Sequence, residues 1–244
     1  MSTDHFSERA DLYARFRPTY PPALADALAI HARGRTLAWD AGCGSGQLSV
    51  ALAGVFDRVH ATDLSPAQLE GARPHPGVHY ACEDSGVCSL GDGAAELVVA
   101  AQAAHWFDLD AFFAEAARVG GAGGVVALVS YGATRIAPEL DRVIEAFRLG
   151  TLGPHWPPGR CHVEDGYASL PFPFAPLPAP SMDLRAHWTA DEFLGYVASW
   201  SGTRRLLKAE GRDRLEAFGR EIRAFWGSGR RLVGWPLAVR QGRI

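Results

Sequence analysis

The sequence predicts an α/β fold, a doubly wound and mostly parallel sheet of seven strands. Three observations predict it. Apolar runs of strand length alternate with helical patterns through the first 130 residues, the rhythm of successive βαβ units. The first run ends in an acid and passes into a turn with glycine at every second position, Asp40-Ala41-Gly42-Cys43-Gly44-Ser45-Gly46, before a helix begins. A second strand also ends in an acid, Asp63. Crossovers in such a sheet are right-handed, and ligands gather at the carboxyl ends of its strands.

Residues 1–23 are polar and aromatic, with Phe6, Tyr13, Phe16, Arg17 and Tyr20. The stretch 11–17 fits a short helix that Pro18 stops. The arm has two readings, a lid folded over the ligand site or an arm packed on the outside. Residues 23–31 place Leu24, Ala27 and Leu28 on one helical face. Strands follow at 36–41, 58–63, 78–82, 96–101 and 125–130, the last two almost wholly apolar, as strands covered on both faces are. Helices are predicted at 47–53, after Ser65-Pro66 and at 109–119; Ser65 suits an N-cap and Pro66 a first helical position.

Beyond Tyr131 the pattern loosens. A helix fits 138–149. The stretch 150–180 carries His155, Trp156, Pro157, Pro158 and the run Pro171-Phe172-Pro173-Phe174. It is long for a plain connection, so it reads either as an insertion over the active face, a cap spanning about 133–180, or as a proline-rich surface loop. A strand fits 182–188, a helix capped by Thr189 runs to Trp200, and one helix covers 204–226. Residues 231–239 form the last strand, which Pro236 places near an edge. All 244 residues are read as a single domain.

Composition narrows the classes. Hydrophobic residues make up 48% and charged residues 21%, as in soluble globular proteins. A formal net charge of −3 argues against a molecule built to hold nucleic acid. Lys208 is the sole lysine, so no other lysine can act in catalysis. Cys43, Cys82, Cys88 and Cys161 form no C-x-x-C pair and no cluster of zinc-like spacing, so no metal site is expected. The start lacks a signal-peptide pattern and no apolar run reaches membrane-span length, so reduced thiols, a cytoplasmic location and no membrane partner are expected.

The turn, read with the strands around it, bears on the cofactor class. A dinucleotide site uses G-x-G-x-x-G, whose glycines let a pyrophosphate rest on the helix N-terminus. Here the third glycine comes one residue early, and Asp40 would repel a pyrophosphate that came close. An acid beside the turn suits a ligand with an ammonium group. S-adenosylmethionine has an amino-acid end, a sulfonium charge and a ribose, and no phosphate. Asp63 can accept both ribose hydroxyls, which either cofactor class would use. A nicotinamide-dependent oxidoreductase is therefore the second reading, and a non-catalytic S-adenosylmethionine-binding protein the third.

Three stretches carry a family resemblance. Asp40–Gly46, Ala61-Thr62-Asp63-Leu64-Ser65 and 118–124 resemble class I S-adenosylmethionine-dependent methyltransferases. Phe6-Ser7 with Tyr13, Arg17-Pro18 and Tyr20-Pro21, together with Ala101-Gln102-Ala103-Ala104-His105-Trp106-Phe107-Asp108, resemble the small-molecule branch that includes the trans-aconitate and quinone-biosynthesis methyltransferases. The resemblance implies a Rossmann-like fold with the cofactor across the strand ends. Asp40, Gly42, Cys43, Gly44 and Gln47 would lie by the methionine part, with Tyr13 closing over it. Asp63 would hold the ribose, Leu64, Gln68, Cys82, Glu83 and Asp84 the adenine, and Ala101 and Gln102 would face the methyl group. Gln68 stands where such proteins often carry methionine, and Gly120-Gly121-Ala122 replaces their leucine-lysine-proline.

Methyl transfer from a sulfonium is an in-line displacement, accelerated largely by alignment of the acceptor. A carboxylate acceptor needs no base, whereas a hydroxyl benefits from one. His105, just after the fourth strand, is the candidate base, or else it shapes the pocket with Trp106. Arg17 is a candidate anchor for an acidic acceptor, or else only fixes the arm. A small-molecule acceptor is the expected partner. The arginine-rich segment 204–231 also carries Glu210, Asp213, Glu216 and Glu221, and so reads as a solvated helix face rather than an anion funnel.

Overall fold

A computed structural model describes residues 17–244. The helix expected at 11–17 and the cofactor contact expected of Tyr13 fall on residues outside that range, as does most of the arm. The described chain divides into two compact units. One holds Thr19–Tyr131, His162–Met182 and Leu237–Ile244; the other holds Gly132–Cys161 and Asp183–Pro236, with residues 17–18. The insertion expected at 133–180 is thus divided between them, with its second half packed in the unit that carries the parallel sheet.

That unit begins with α1 (Pro22–Ala29) and continues through β1 (Leu37–Ala41), α2 (Gln47–Leu52), β2 (Arg58–Thr62), α3 (Pro66–Glu70), β3 (Val78–Ala81), β4 (Leu97–Ala101), α4 (Leu109–Gly120) and β5 (Val125–Tyr131). The strands β3-β2-β1-β4-β5 are parallel neighbours. The order reverses direction between β1 and β4, and such a switch point leaves a crevice at the carboxyl ends. β5 is buried at every residue, which fits its unbroken apolar sequence.

Alternation along the strands makes two faces. Trp39, Val98, Val126 and Leu128 pack in one cluster with Phe112, Phe113, Ala116 and Val119 of α4. Each of the larger buried side chains contributes about 2 kcal/mol. Asp108 caps α4 by accepting the Ala111 N–H. Ser65 does stand at the N-cap of α3, but its side chain makes no capping bond; the Asp63 carboxylate accepts its N–H instead. At the amino ends of β4 and β5, the Arg33 guanidinium donates to the carbonyls of Gly93, Gly120 and Ala122 at 2.7–2.9 Å.

Among the described residues the strands number eight, one more than the sequence suggests. The added strand is β6 (Ala175–Leu177), which pairs antiparallel with β8 (Arg231–Arg243) at Arg243, Gly242 and Gln241. Pro176 hides it, because proline cannot donate to a ladder; at the sheet edge, beyond β8, that missing donor is tolerated. β8 itself runs four residues past the expected 239, pairing with β5 from Leu237 to Arg243. It is therefore an inner strand here, and β6 takes the edge.

The other unit contains α5 (Pro138–Glu145), which runs on into a π-helical turn at Ala146–Thr151. The division between the units falls within α6 (Arg160–Glu164). β7 (Asp183–Trp188) pairs antiparallel with Arg231–Pro236. α7 (Ala190–Ala198) opens with a full capping box between Thr189 and Glu192. The single helix expected over 204–226 is two, α8 (Ser201–Glu210) and α9 (Asp213–Trp226), because Gly211 turns the chain at φ 82°. Trp188, Tyr196, Trp200 and Trp235 pack edge to face around Tyr196, whose hydroxyl accepts the Trp235 indole N–H at 3.2 Å.

Candidate functional site

The site grows out of the end of β1. Gly42, Gly44 and Gly46 all adopt left-handed φ, at 68°, 56° and 74°. Two of them are also enclosed. A Cβ on Gly42 would lie 2.6 Å from that of Ala103. A Cβ on Gly46 would fall on the Tyr80 hydroxyl. Gly44 is different: its nearest neighbour would be the Gln68 Oε1 at 3.8 Å, so the turn is open there. The Cys43 N–H donates to Thr62 at 2.9 Å, tying the turn to β2.

Asp40 lies beneath this turn, 1% exposed. Ser49 of α2 donates to its Oδ2 at 2.6 Å. Its Oδ1 is buried without a hydrogen-bond partner, as is the Nε2 of Gln47. Burial pushes the Asp40 carboxyl up to about 7; the Ser49 bond opposes the shift and the charge of Asp63 adds to it. A buried carboxylate with an unused oxygen is costly unless a donor or a cation arrives. The Cys43 thiol is pushed far up by burial and by Asp40 and Asp63, so it is an inert thiol in the wall.

Asp63 receives two backbone donors, Gly44 N–H on Oδ2 at 2.9 Å and Ser65 N–H on Oδ1 at 2.8 Å. Each oxygen keeps a second lone pair for a hydroxyl. Leu64 beside it is 64% exposed, a large apolar side chain presented to solvent. The Cys82 thiol donates to the Leu64 carbonyl at 3.7 Å. Asp84 is exposed and takes the Gly86 N–H. Glu83 turns elsewhere: its carboxylate meets His60 Nε2 at 3.0 Å and accepts the Ser89 N–H at 3.1 Å. Burial would raise it, but the bonds from Ser89 and His60 outweigh that and hold it at about 2.

At the end of β4, Ala101 leads into Gln102, which stands at φ 56°. A non-glycine residue held there is strained, and such strain gathers at functional sites. Its N–H donates to Val129 and its Nε2 to the Tyr131 carbonyl at 2.6 Å. His105 follows in a 3₁₀ turn, Ala104–Trp106. Its Nδ1 lies 2.8 Å from the Tyr167 hydroxyl. Trp106 is 57% exposed, its ring 4.9 Å from that of His105.

Tyr167 carries no signal in the sequence, because it lies 62 residues from His105 and in no motif. It is fully buried and stands at φ 65°. Arg240 pins its segment, donating to the carbonyls of Tyr167 and Leu170. The structure thus brings Asp40, Gly42, Cys43, Gly44, Gln47, Asp63 and Gln68 together around one turn, and His105 onto Tyr167. Arg17 is placed in the other unit, its guanidinium 5.6 Å above the Tyr196 ring.

A family model described as a methyltransferase domain matches residues 39–128, from β1 into β5. A protein of Dictyostelium discoideum named as a methyltransferase is 32% identical over 216 residues, covering 87% of this chain and 82% of its own. A structure described as a type II methyltransferase from Anaeromyxobacter dehalogenans is 45% identical, with a TM-score of 0.87 over 93% of this chain and 98% of its own. A structure from Anabaena variabilis, described as a methyltransferase from an antibiotic biosynthesis pathway, shares the fold at 17% identity, with a TM-score of 0.55 over 91% of this chain and 98% of its own.

Proposed function

We propose an acceptor class from one premise: this chain belongs to the class I S-adenosylmethionine-dependent methyltransferases and is an enzyme with that cofactor. The acceptor is a small molecule offering a hydroxyl or carboxylate oxygen. The observation that carries this reading is the His105–Tyr167 pair just after the strained end of β4. The likeness to the trans-aconitate and quinone-biosynthesis branch supports it. So does the net charge of −3, which disfavours nucleic acid. Among the described residues no helix is long and apolar enough to cross a membrane. A cytoplasmic enzyme with free thiols fits both observations.

The residues fit the cofactor. Asp40 Oδ1 and Gln47 Nε2 are the unpartnered acceptor and donor that an amino-acid end with an ammonium group would satisfy. The opening at Gly44 admits backbone contact. Asp63 would hold the ribose hydroxyls, while Leu64, Gln68, Cys82 and Asp84 would border the adenine. Glu83 would contribute through its backbone, since its carboxylate is committed to His60 and Ser89. Ala101 and Gln102 would flank the reacting side.

When bound, S-adenosylmethionine supplies a methyl group on a sulfonium for in-line displacement. His105 accepts the proton of a hydroxyl acceptor, or donates a hydrogen bond to a carboxylate acceptor, which is already ionised. Tyr167 fixes the ring for either role by bonding Nδ1. The test is a metabolite pool incubated with the enzyme and a methyl-labelled donor, read by mass spectrometry. Label in one small oxygen nucleophile is expected. Label only in protein or RNA, or none anywhere, would overturn the acceptor class.

A further inference from the structure

We propose that the side chains of His60, Glu83 and Cys88 form a site for one divalent cation of the zinc class, Glu83 thereby turning its carboxylate away from the adenine that its backbone borders. The three come from separate places: His60 from β2, Glu83 from just after β3, and Cys88 from the segment leading to β4. His60 is 5% and Cys88 6% exposed, so two of the three donors are in the interior. One ligand atom from each, a ring nitrogen, a carboxylate oxygen and Sγ, all lie within 4.8 Å of one another.

One pair of donors stands near the spacing that a bound ion imposes. A tetrahedral cation about 2.0–2.1 Å from a nitrogen and an oxygen holds them about 3.3 Å apart. His60 Nε2 and Glu83 Oε2 already stand at 3.0 Å. A nitrogen, an oxygen and a sulfur together select zinc or cobalt over magnesium or calcium, which prefer oxygen alone.

The surroundings hold each donor in place. The His60 ring stacks on His79 at 10° between planes, with the two Nδ1 atoms 3.2 Å apart, so His60 presents Nε2 to Glu83. The Ser89 N–H fixes the Glu83 carboxylate. The Cys88 N–H donates to Glu115 at 2.6 Å, and Arg118 holds Glu115 in turn. Outer contacts of this kind orient the ligands of metal sites. On binding, the Cys88 thiol loses its proton to solvent and a sulfur–metal bond forms. His60 binds through Nε2 and keeps its remaining proton on Nδ1, against His79. Three protein donors leave a fourth position for water. The cation would fasten the 82–88 segment, which also holds Cys82 and Asp84, to the floor of β2.

Reduced protein freed of metal by chelation is titrated with cobalt(II) and then zinc(II). One equivalent of cobalt is expected, with a thiolate-to-cobalt absorption band that zinc abolishes. The band is lost in Cys88→Ser and kept in Cys161→Ser, both checked for native circular dichroism. Zinc X-ray absorption on the unaltered protein needs no variant and should read one sulfur among light neighbours. Absence of stoichiometric binding overturns the site, as does a band that survives in Cys88→Ser or a zinc shell with no sulfur or several.

Discussion

Of the segments of the sheet unit that hold left-handed backbone, two do so for opposite ends. In the turn after β1 the strain-free residue is used three times, at Gly42, Gly44 and Gly46, and the result is a surface with no side chains. In the segment before β6, Gly166 at φ 66° is followed by Tyr167 at φ 65°, a bulky residue kept in the same region. There the conformation delivers a side chain to His105 instead of clearing one away. A turn emptied for a ligand is written in glycines at every second position. A turn that aims a side chain is written in what surrounds it, here Arg240 and Ala238.

The sharpest way to break that comparison acts on the acid beneath the first turn. The folded pKa of Asp40, about 7, is above its unfolded value of 3.8. The native state therefore binds this proton more tightly, and its contribution to stability is full below about 4 and lost as pH rises to 7. The difference is about 4 kcal/mol in all. Asp40→Asn should remove this fall, leaving the ligand-free variant more stable than the wild type at pH 8 by denaturant melts. The same change should weaken S-adenosylmethionine binding by tenfold or more. It should also flatten the wild-type rise in affinity between pH 6 and 7.5, where ionised Asp40 would meet the ligand cation. A steeper or unchanged pH profile in calorimetry would refute the role given to this acid.

Next come the glycines themselves. Gly46→Ala meets both a left-handed φ and the Tyr80 ring, and should lower stability by about 3 kcal/mol while abolishing cofactor binding. Gly166→Ala would press on Ala238 at 2.6 Å and should lower stability by about 2 kcal/mol, with affinity for S-adenosylmethionine unchanged. Equal losses of affinity in the two variants would erase the distinction drawn above. The smallest effect belongs to Tyr167→Phe, about 1 kcal/mol for one hydrogen bond. Its signature is a change in the ring nitrogen resonances of His105 by NMR, with cofactor affinity intact. His105 ring resonances that ignore the change would remove Tyr167 from the site.

Much of this was legible in the chain because it is local. β1, its turn and α2 occupy consecutive residues, and Asp63 closes the next strand, so spacing alone locates this turn. The parallel strands announce themselves through unbroken apolar runs such as Val125–Tyr131. What was hidden depends on partners distant in sequence. Pro176 denies a strand until an edge position makes its missing N–H harmless. Gly211 divides a helix whose apolar spacing runs straight through it. His60, Glu83 and Cys88 have no metal-like spacing, and only strand order brings them within 4.8 Å. Tyr167 reaches His105 across 62 residues, with no motif to mark the tyrosine.

Arg33 has a further consequence. Its guanidinium joins the carbonyls of Gly93, Ala95, Gly120 and Ala122, from the loops that enter β4 and β5, a forked grip that a lysine could not reproduce. The two strands are anchored where they begin, while Gln102, His105 and Tyr131 stand where they finish. Evolution can therefore rewrite the exits without retuning the entrances. A lineage descended from such a scaffold would drift fastest in the residues that greet an acceptor and slowest around one arginine on the opposite rim.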